Sequence, residues 1–120
     1  MSHVVSIQTR VNDPRAVAAA CQRLGLAAPQ HFTVRLFSGE ATGLIVQLPE
    51  WQYPLAIDTD TGTLRYDNYN GKWGAEEQLH RFLQRYAVEK ARIEAHKRGY
   101  AVSEQALHDG SIKVTVLEGA

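Results

Sequence analysis

Tyr86 and Lys90 are the residues of this sequence whose types and spacing come closest to a catalytic pair. They stand four positions apart within the segment 74–99, and on a helix this spacing places both side chains on one face. A lysine so placed lowers the pKa of the tyrosine in short-chain dehydrogenases, where the tyrosine works as an acid or base. That chemistry needs a dinucleotide-binding fold, and the chain has no glycine-rich strand-to-helix fingerprint.

The same two residues also have a structural interpretation. Apolar side chains recur along the segment with helical spacing, at Leu79, Phe82, Leu83, Tyr86 and Ile93. Lys90 falls on this apolar face, and an ammonium group buried without a partner is costly. We therefore expect its aliphatic stem to cross a sheet and its charge to meet Asp58, Asp60 or Asp67 at the rim. The candidate pocket between helix and sheet consists of Tyr86, Lys90, Asp58 and Asp67.

A row of basic residues forms a second pattern on the same helix. Arg81, Arg85, Arg92 and His96 follow one another at spacings of 4, 7 and 4. A row of guanidinium groups suits phosphates or an acidic partner. However, the chain carries 13 basic and 13 acidic residues, so its formal net charge is zero. This balance favours a solvated helix face over a nucleic-acid interface, and the three arginines remain candidates for a protein-interaction surface.

Aromatic residues are concentrated between positions 51 and 73, namely Trp51, Tyr53, Tyr66, Tyr69 and Trp73. The stretch 69–73 is a turn with an aromatic residue on each side. Aromatic side chains at strand ends either close a core or act as anchors for a partner, because they bury a large area at small entropic cost. Trp51, Tyr69 and Trp73 are therefore the candidate aromatic part of an interaction surface.

The other reactive residue types form no recognisable site. The segment 58–62 resembles the start of a calcium loop, but its twelfth position is Tyr69 where a glutamate is needed. The five histidines include no pair at metal-ligand spacing. Cys21 lies on an apolar helix face, and no Gly-x-Ser-x-Gly elbow is present. The sequence therefore predicts no catalytic constellation, no metal and no cofactor.

Length and composition indicate one globular domain. The chain has 120 residues, of which 44% are hydrophobic and 22% charged, which suits a single core spanning 1–120. The single cysteine gives no reason to expect an oxidising compartment. Neither a signal peptide nor a membrane span is apparent, so we expect a cytoplasmic protein without membrane contact that folds alone or as a small homo-oligomer.

Alternating apolar residues and turn signals predict the secondary structure. Strands are expected at 3–11, 32–37, 44–48, 53–57, 63–69, 100–107 and 112–117. A short helix is expected between Asp13, as its N-cap, and Gly25, as its left-handed stop. Together with the long helix, the order is β-α-β-β-β-β-α-β-β. This order predicts an α+β fold, with an antiparallel sheet and both helices packed on one face.

Several of these segments together resemble a known family. They are the opening Met-Ser-His, the run 66–69 followed by Trp73-Gly74, the helical run Leu-Gln-Arg-Tyr-Ala-Val-Glu-Lys at 83–90, and Gly99-Tyr100 with 109–112. This set is similar to the ycf-thirty-five-like family of cyanobacteria, plastids and other bacteria, whose function is unknown. Lys72 departs from the family, which usually has an aromatic there. The resemblance implies an accessory role, with an AAA-type ATPase as a partner.

A binding function follows better from these features than an enzymatic one. We expect a non-catalytic binding or adaptor protein in a bacterial assembly, recognising another protein through the aromatic turn and the arginine row. A small enzyme or ligand-binding protein with a pocket at Tyr86 and Lys90 is the first alternative. Nucleic-acid binding through Arg81, Arg85 and Arg92 is the second.

Overall fold

Seven strands and two helices follow one another in the order expected from the sequence. The computed structural model describes residues 4–118, so His3 of the first predicted strand lies outside the described residues. The elements are β1 Val5–Gln8, α1 Pro14–Arg23, β2 Gln30–Leu36, β3 Gly39–Val46, β4 Leu55–Asp58, β5 Thr63–Tyr66, a 3-10 turn Tyr69–Gly71, α2 Glu76–Lys97, β6 Ala101–Ala106 and β7 Ile112–Leu117. The α+β class and the element order are confirmed.

The first five strands form one antiparallel sheet in the order β1-β5-β4-β3-β2. Its inner face is apolar because paired positions on neighbouring strands carry aliphatic residues. One such row joins Ile7, Leu64, Ile57 and Leu44. Both helices pack against this face, since buried residues of α1 and α2 belong to the same core as the sheet.

The last two strands form a separate two-stranded sheet, which the predicted order did not distinguish from an extension of the first. A two-stranded ribbon is marginal alone and needs a packing surface. Here that surface is α2, whose inner face carries Leu79, Phe82 and Tyr86 into the main core. Val88 and Ala95 are buried on another face of the helix, the one that contacts β6 and β7. α2 therefore joins two sheets.

The short helix α1 begins and ends at the residues that its sequence signals predict. The backbone N–H of Arg15 donates to Asp13 Oδ1 at 3.0 Å, and Pro14 occupies the first turn. Gly25, with φ of 72°, ends the helix in the left-handed conformation. Cys21 is fully buried on its apolar face, and burial raises the pKa of its thiol to about 11. The thiol thus packs as a small apolar group.

The β2–β3 hairpin folds back over the outer face of the main sheet. β3 pairs with β2 from Gly39 to Ile45 but with β4 only from Leu44 to Val46, so the two pairings diverge near Gly43. A Cβ atom on Gly43 would lie 2.3 Å from the carbonyl oxygen of Ile57, so only glycine allows this approach. Leu36 and Ala41 of the hairpin then pack on Ala56 as a second buried cluster.

Trp51 is a core residue, so its assignment to an interaction surface was wrong. Its side chain is buried at 4% exposure, and its Nε1–H donates to the carbonyl oxygen of Ala75 at 3.0 Å. Gly74 lies directly against the indole, where an added Cβ would stand 2.4 Å from a ring carbon. The turn that follows β5 therefore packs on the core through Trp51. No sequence pattern predicts this contact between the two segments.

We expect Gly74→Ala to lower the free energy of unfolding by about 2 kcal/mol or more, because the new methyl group collides with the Trp51 ring. Urea unfolding measures the change. Gly39→Ala is the matched control, since its Cβ would meet only Val4 Cγ2 at 3.8 Å. Equal stabilities of the two variants would show that Gly74 is not packed as described.

Candidate functional site

Tyr86 and Lys90 lie together, as their spacing predicts, but they face the N-terminus of α1. The Tyr86 hydroxyl accepts hydrogen bonds from the backbone N–H groups of Asn12 and Asp13, both at 3.1 Å. Lys90 Nζ donates to Asp13 Oδ2 at 2.9 Å and to Glu94 Oε1 at 2.9 Å. The two side chains thus hold the loop between β1 and α1 against α2.

The acidic partners expected for Lys90 were wrong. Asp58 lies in the β4–β5 turn, where its Oδ1 accepts from the backbone N–H of Asp60 at 3.0 Å. Asp67 is fully buried after β5, and the Ser38 hydroxyl donates to its Oδ2 at 3.4 Å. Lys90 instead stands on the part of α2 that passes α1, where it pairs with Asp13 and Glu94. Asp58 and Asp67 therefore do not belong to this site.

The two acids that hold Lys90 could be found only in part from the sequence. Glu94 follows Lys90 by four positions, which is the spacing of a helical ion pair. For Asp13 the sequence indicates only the capping of α1. Its contact with Lys90 joins positions 77 residues apart, so no local pattern predicts it. One carboxylate therefore both caps α1 and binds α2.

The ion pairs fix the charge states of this cluster. Hydrogen bonds to Glu94 and then to Asp13 raise the pKa of Lys90. Burial is the largest single influence on the pKa of Asp13 and raises it, but the hydrogen bonds and charges of Lys90 and Arg15 together outweigh burial, so the net pKa is lowered. Lys90 hence stays an ammonium at neutral pH, whereas general-base catalysis needs a lysine that loses its proton there. The ion pairs with Asp13 and Glu94 therefore hold the Lys90 ammonium in a fixed position.

A concave opening lies beside this cluster. It has a volume of about 490 Å³ and is lined by Arg10, Val11, Asn12, Tyr86, Ala87, Lys90, Ala91 and Glu94. Two members of the predicted pocket, Tyr86 and Lys90, line it. The position between helix α2 and the β1–α1 loop differs from the predicted one between helix and sheet, because Lys90 turns to Asp13.

The arginine row is not a free surface along its length. Arg85 Nη1 contacts Glu104 Oε1 at 2.8 Å and Glu89 at 3.2 Å, and Arg92 also pairs with Glu104. The side chains of Arg85 and Arg92 are only 19% and 21% exposed. Their role is to hold β6 on α2, so their assignment to an interaction surface was wrong. Arg81 alone of the three is exposed.

Trp73 lies at the centre of an aromatic cluster. Its ring centroid is 5.1 Å from that of Phe37, 4.8 Å from that of Tyr69 and 5.6 Å from that of Tyr53. Phe37 is 56% exposed at the tip of the β2–β3 hairpin. No sequence pattern indicates Phe37 as a member of this cluster, since only the folding back of the hairpin brings it to Trp73. We call Phe37, Tyr69 and Trp73 the aromatic surface.

The backbone around Trp73 is held in an unusual conformation. Tyr69 and Asn70 adopt positive φ angles of 47° and 52°, which is strained for an aromatic residue. Hydrogen bonds hold the turn in place, from Gln52 N–H to the Trp73 carbonyl at 2.8 Å and from Trp73 N–H to the Asn68 carbonyl at 3.0 Å. The backbone of the turn therefore fixes the positions of the Tyr69 and Trp73 rings.

Among residues 4–118, no three His, Cys, Asp or Glu side chains come together as a metal site. No helix in the same range is long and apolar enough to cross a lipid bilayer.

We expect Tyr86→Phe to reduce the free energy of unfolding by about 1–3 kcal/mol, because the backbone N–H groups of Asn12 and Asp13 lose their acceptor. Chemical denaturation provides the measurement. Tyr100→Phe is the control, since among residues 4–118 that hydroxyl makes only an exposed contact with Glu118 at 3.4 Å. If both variants lose the same stability, the Tyr86 hydroxyl does not hold the loop.

We expect Lys90→Met to cost about 1 kcal/mol at neutral pH, because Asp13 stays buried without its main partner. The lowered pKa values of Asp13 and Glu94 give stability above their ordinary values of 3.8 and 4.5, which is lost as the pH falls through the lower folded-state values. The raised pKa of Lys90 gives stability below 10.5, which is lost as the pH rises through the folded-state value.

The difference between wild type and Lys90→Met should accordingly shrink below about pH 4 and above about pH 11. Unfolding free energies measured across this range test the expectation. Lys113→Met, at an exposed position of β7, is the control and should change little at any pH. A difference that stays constant with pH would contradict the ion-pair description.

Comparison with protein-family models, with curated proteins and with solved structures finds no match for this chain.

Proposed function

We propose that this protein works by binding another protein without catalysing a reaction, and that the aromatic surface is the contact. The observation that carries this proposal is the exposure of Phe37, 56% of its area, directly on the ring of Trp73. A large apolar side chain left exposed on a prearranged aromatic cluster is typical of an interface anchor. Tyr69 extends the cluster and is only partly buried.

The charge beside the aromatic surface indicates the chemistry of the partner. Lys72 is exposed, and its Nζ lies 4.8 Å from the centroid of the Tyr69 ring. Across residues 4–118 its ammonium has no carboxylate partner within ion-pair distance. An apolar segment with an acidic residue at its edge would therefore complement the surface, the apolar part supplying burial and the acid supplying orientation.

The alternatives receive less support. An enzyme using Lys90 as a base would need a neutral amine, and the hydrogen bonds that Lys90 donates to Glu94 and Asp13 favour the ammonium. Nucleic-acid binding would need the guanidinium groups of Arg85 and Arg92, which are already paired with Glu104. The family resemblance makes an AAA-type ATPase the first partner to test, in the cytoplasm.

We expect a photoreactive p-benzoylphenylalanine at position 37 to cross-link one partner protein in cells that make this chain. The same residue at position 117 is the matched control, because Leu117 is equally exposed at 56% but lies in β7. The partner, once purified, should bind Phe37→Ala at least about 30-fold more weakly than wild type, as for an anchor residue at the centre of an interface. Leu117→Ala should bind normally.

Phe37→Ala is preferred to a Trp73 variant because it removes an exposed ring at little cost to folding. The proposal is wrong if the two positions cross-link the same proteins to the same extent. It is equally wrong if the purified partner binds Phe37→Ala as tightly as it binds wild type.

A further inference from the structure

We propose that the opening beside Lys90 binds a small organic carboxylate with an apolar body, such as an arylacetic or a short branched aliphatic acid. This site lies between α2 and the β1–α1 loop and shares no residue with the aromatic surface. It therefore stands or falls independently of the proposed protein partner.

The opening exists because α2 carries small side chains where it passes the loop. Ala87 and Ala91 lie one helical turn apart on its wall, and the buried Val11 closes the loop side. The volume of about 490 Å³ falls within the range of roughly 300–1,000 Å³ found for small-molecule sites. Apolar walls of this kind fit the hydrocarbon part of a ligand.

Arg10 supplies a cation at the edge of the opening. Its side chain is exposed, and its guanidinium makes no hydrogen bond or ion pair with any residue from 4 to 118. Lys90 has three N–H donors, of which Asp13 and Glu94 take two. Both oxygens of a ligand carboxylate can therefore accept hydrogen bonds. Arg10 would donate two parallel N–H groups of its guanidinium, and Lys90 would donate its third N–H.

The charges around the opening favour an anion. Asp13 is shared between Lys90 and Arg15, the latter at 3.8 Å, and Glu94 is shared between Lys90 and Lys97, the latter at 3.4 Å. Among the residues that line the opening, Arg10 and Lys90 are cations and Glu94 is the one carboxylate, which leaves an excess of one positive charge. A neutral ligand of the same shape would gain nothing from this excess.

The loop that carries Arg10 is fixed before a ligand binds. The Tyr86 hydroxyl donates to the Arg10 carbonyl oxygen at 3.4 Å while it accepts from the backbone N–H groups of Asn12 and Asp13. A positioned backbone lowers the entropic cost of ordering the guanidinium on a ligand. Tyr86 is thus a positioning residue for Arg10.

The test is a titration of the full chain with phenylacetate, followed by two-dimensional NMR of backbone amides. We expect saturable shifts at residues 10–12, Ala87 and Ala91, with a dissociation constant of about 1 mM or tighter. Phenylacetamide, which keeps the shape but lacks the charge, should bind at least about tenfold more weakly.

Three variants make the test specific. Arg10→Gln should weaken phenylacetate binding about tenfold or more, and Ala91→Leu, which fills the opening, should abolish it. Arg65→Gln removes an exposed arginine from β5 and should bind as wild type does. Circular dichroism and thermal unfolding of each variant show whether it is folded, and Ala87→Leu replaces Ala91→Leu if the latter is not.

Several results would overturn the proposal. They are the absence of saturable shifts, equal binding of phenylacetate and phenylacetamide, unchanged binding by Arg10→Gln, and binding that survives filling of the opening. None of these results bears on cross-linking at Phe37, so the two proposals fail separately.

Discussion

The carboxylate of Asp13 is the contact on which the arrangement of the two helices depends. One oxygen accepts from the backbone of α1 and the other from the ammonium of Lys90 on α2. A buried carboxylate is stable only when its hydrogen bonds are satisfied, so α1 and α2 must meet at this point. The Tyr86 hydroxyl accepts hydrogen bonds from the backbone N–H groups of Asn12 and Asp13, which the start of α1 leaves without helical partners. Helix capping and helix packing are thus one interaction network.

Helix α2 has two packing faces, and this explains why Arg85 and Arg92 are largely covered. Its inner apolar face completes the main core, and a second face binds the β6–β7 ribbon through Glu104. Arg85 and Arg92 both bind this carboxylate, and the hydrogen bond from Arg85 is the main cause that lowers the pKa of Glu104. Because a two-stranded ribbon buries little by itself, partly buried ion pairs fix its position on the helix.

The aromatic surface depends on a bend in a strand. β3 pairs with β2 as far as Ile45 but with β4 only from Leu44 onward, and the hairpin beyond Gly43 returns over the sheet until Phe37 reaches Trp73. The strained turn at Tyr69 brings the second ring to the same indole. Two segments far apart in the chain thereby build one exposed cluster. The candidate carboxylate site, in contrast, is formed where helix α2 passes the loop before α1.

The sequence alone determined the element order, the ends of α1 and the inner face of α2, because capping residues, turn glycines and helical periodicity act over a few neighbouring positions. It also placed Tyr86 and Lys90 on one helix face. Only the tertiary structure decided that Lys90 meets Asp13, that Arg85 and Arg92 hold β6, and that Phe37 joins Trp73. These contacts join residues that are far apart in the chain, so no local sequence pattern indicates them. Several acids and several aromatic rings are equally possible partners from the sequence, and the packing of whole helices and strands decides which of them meet.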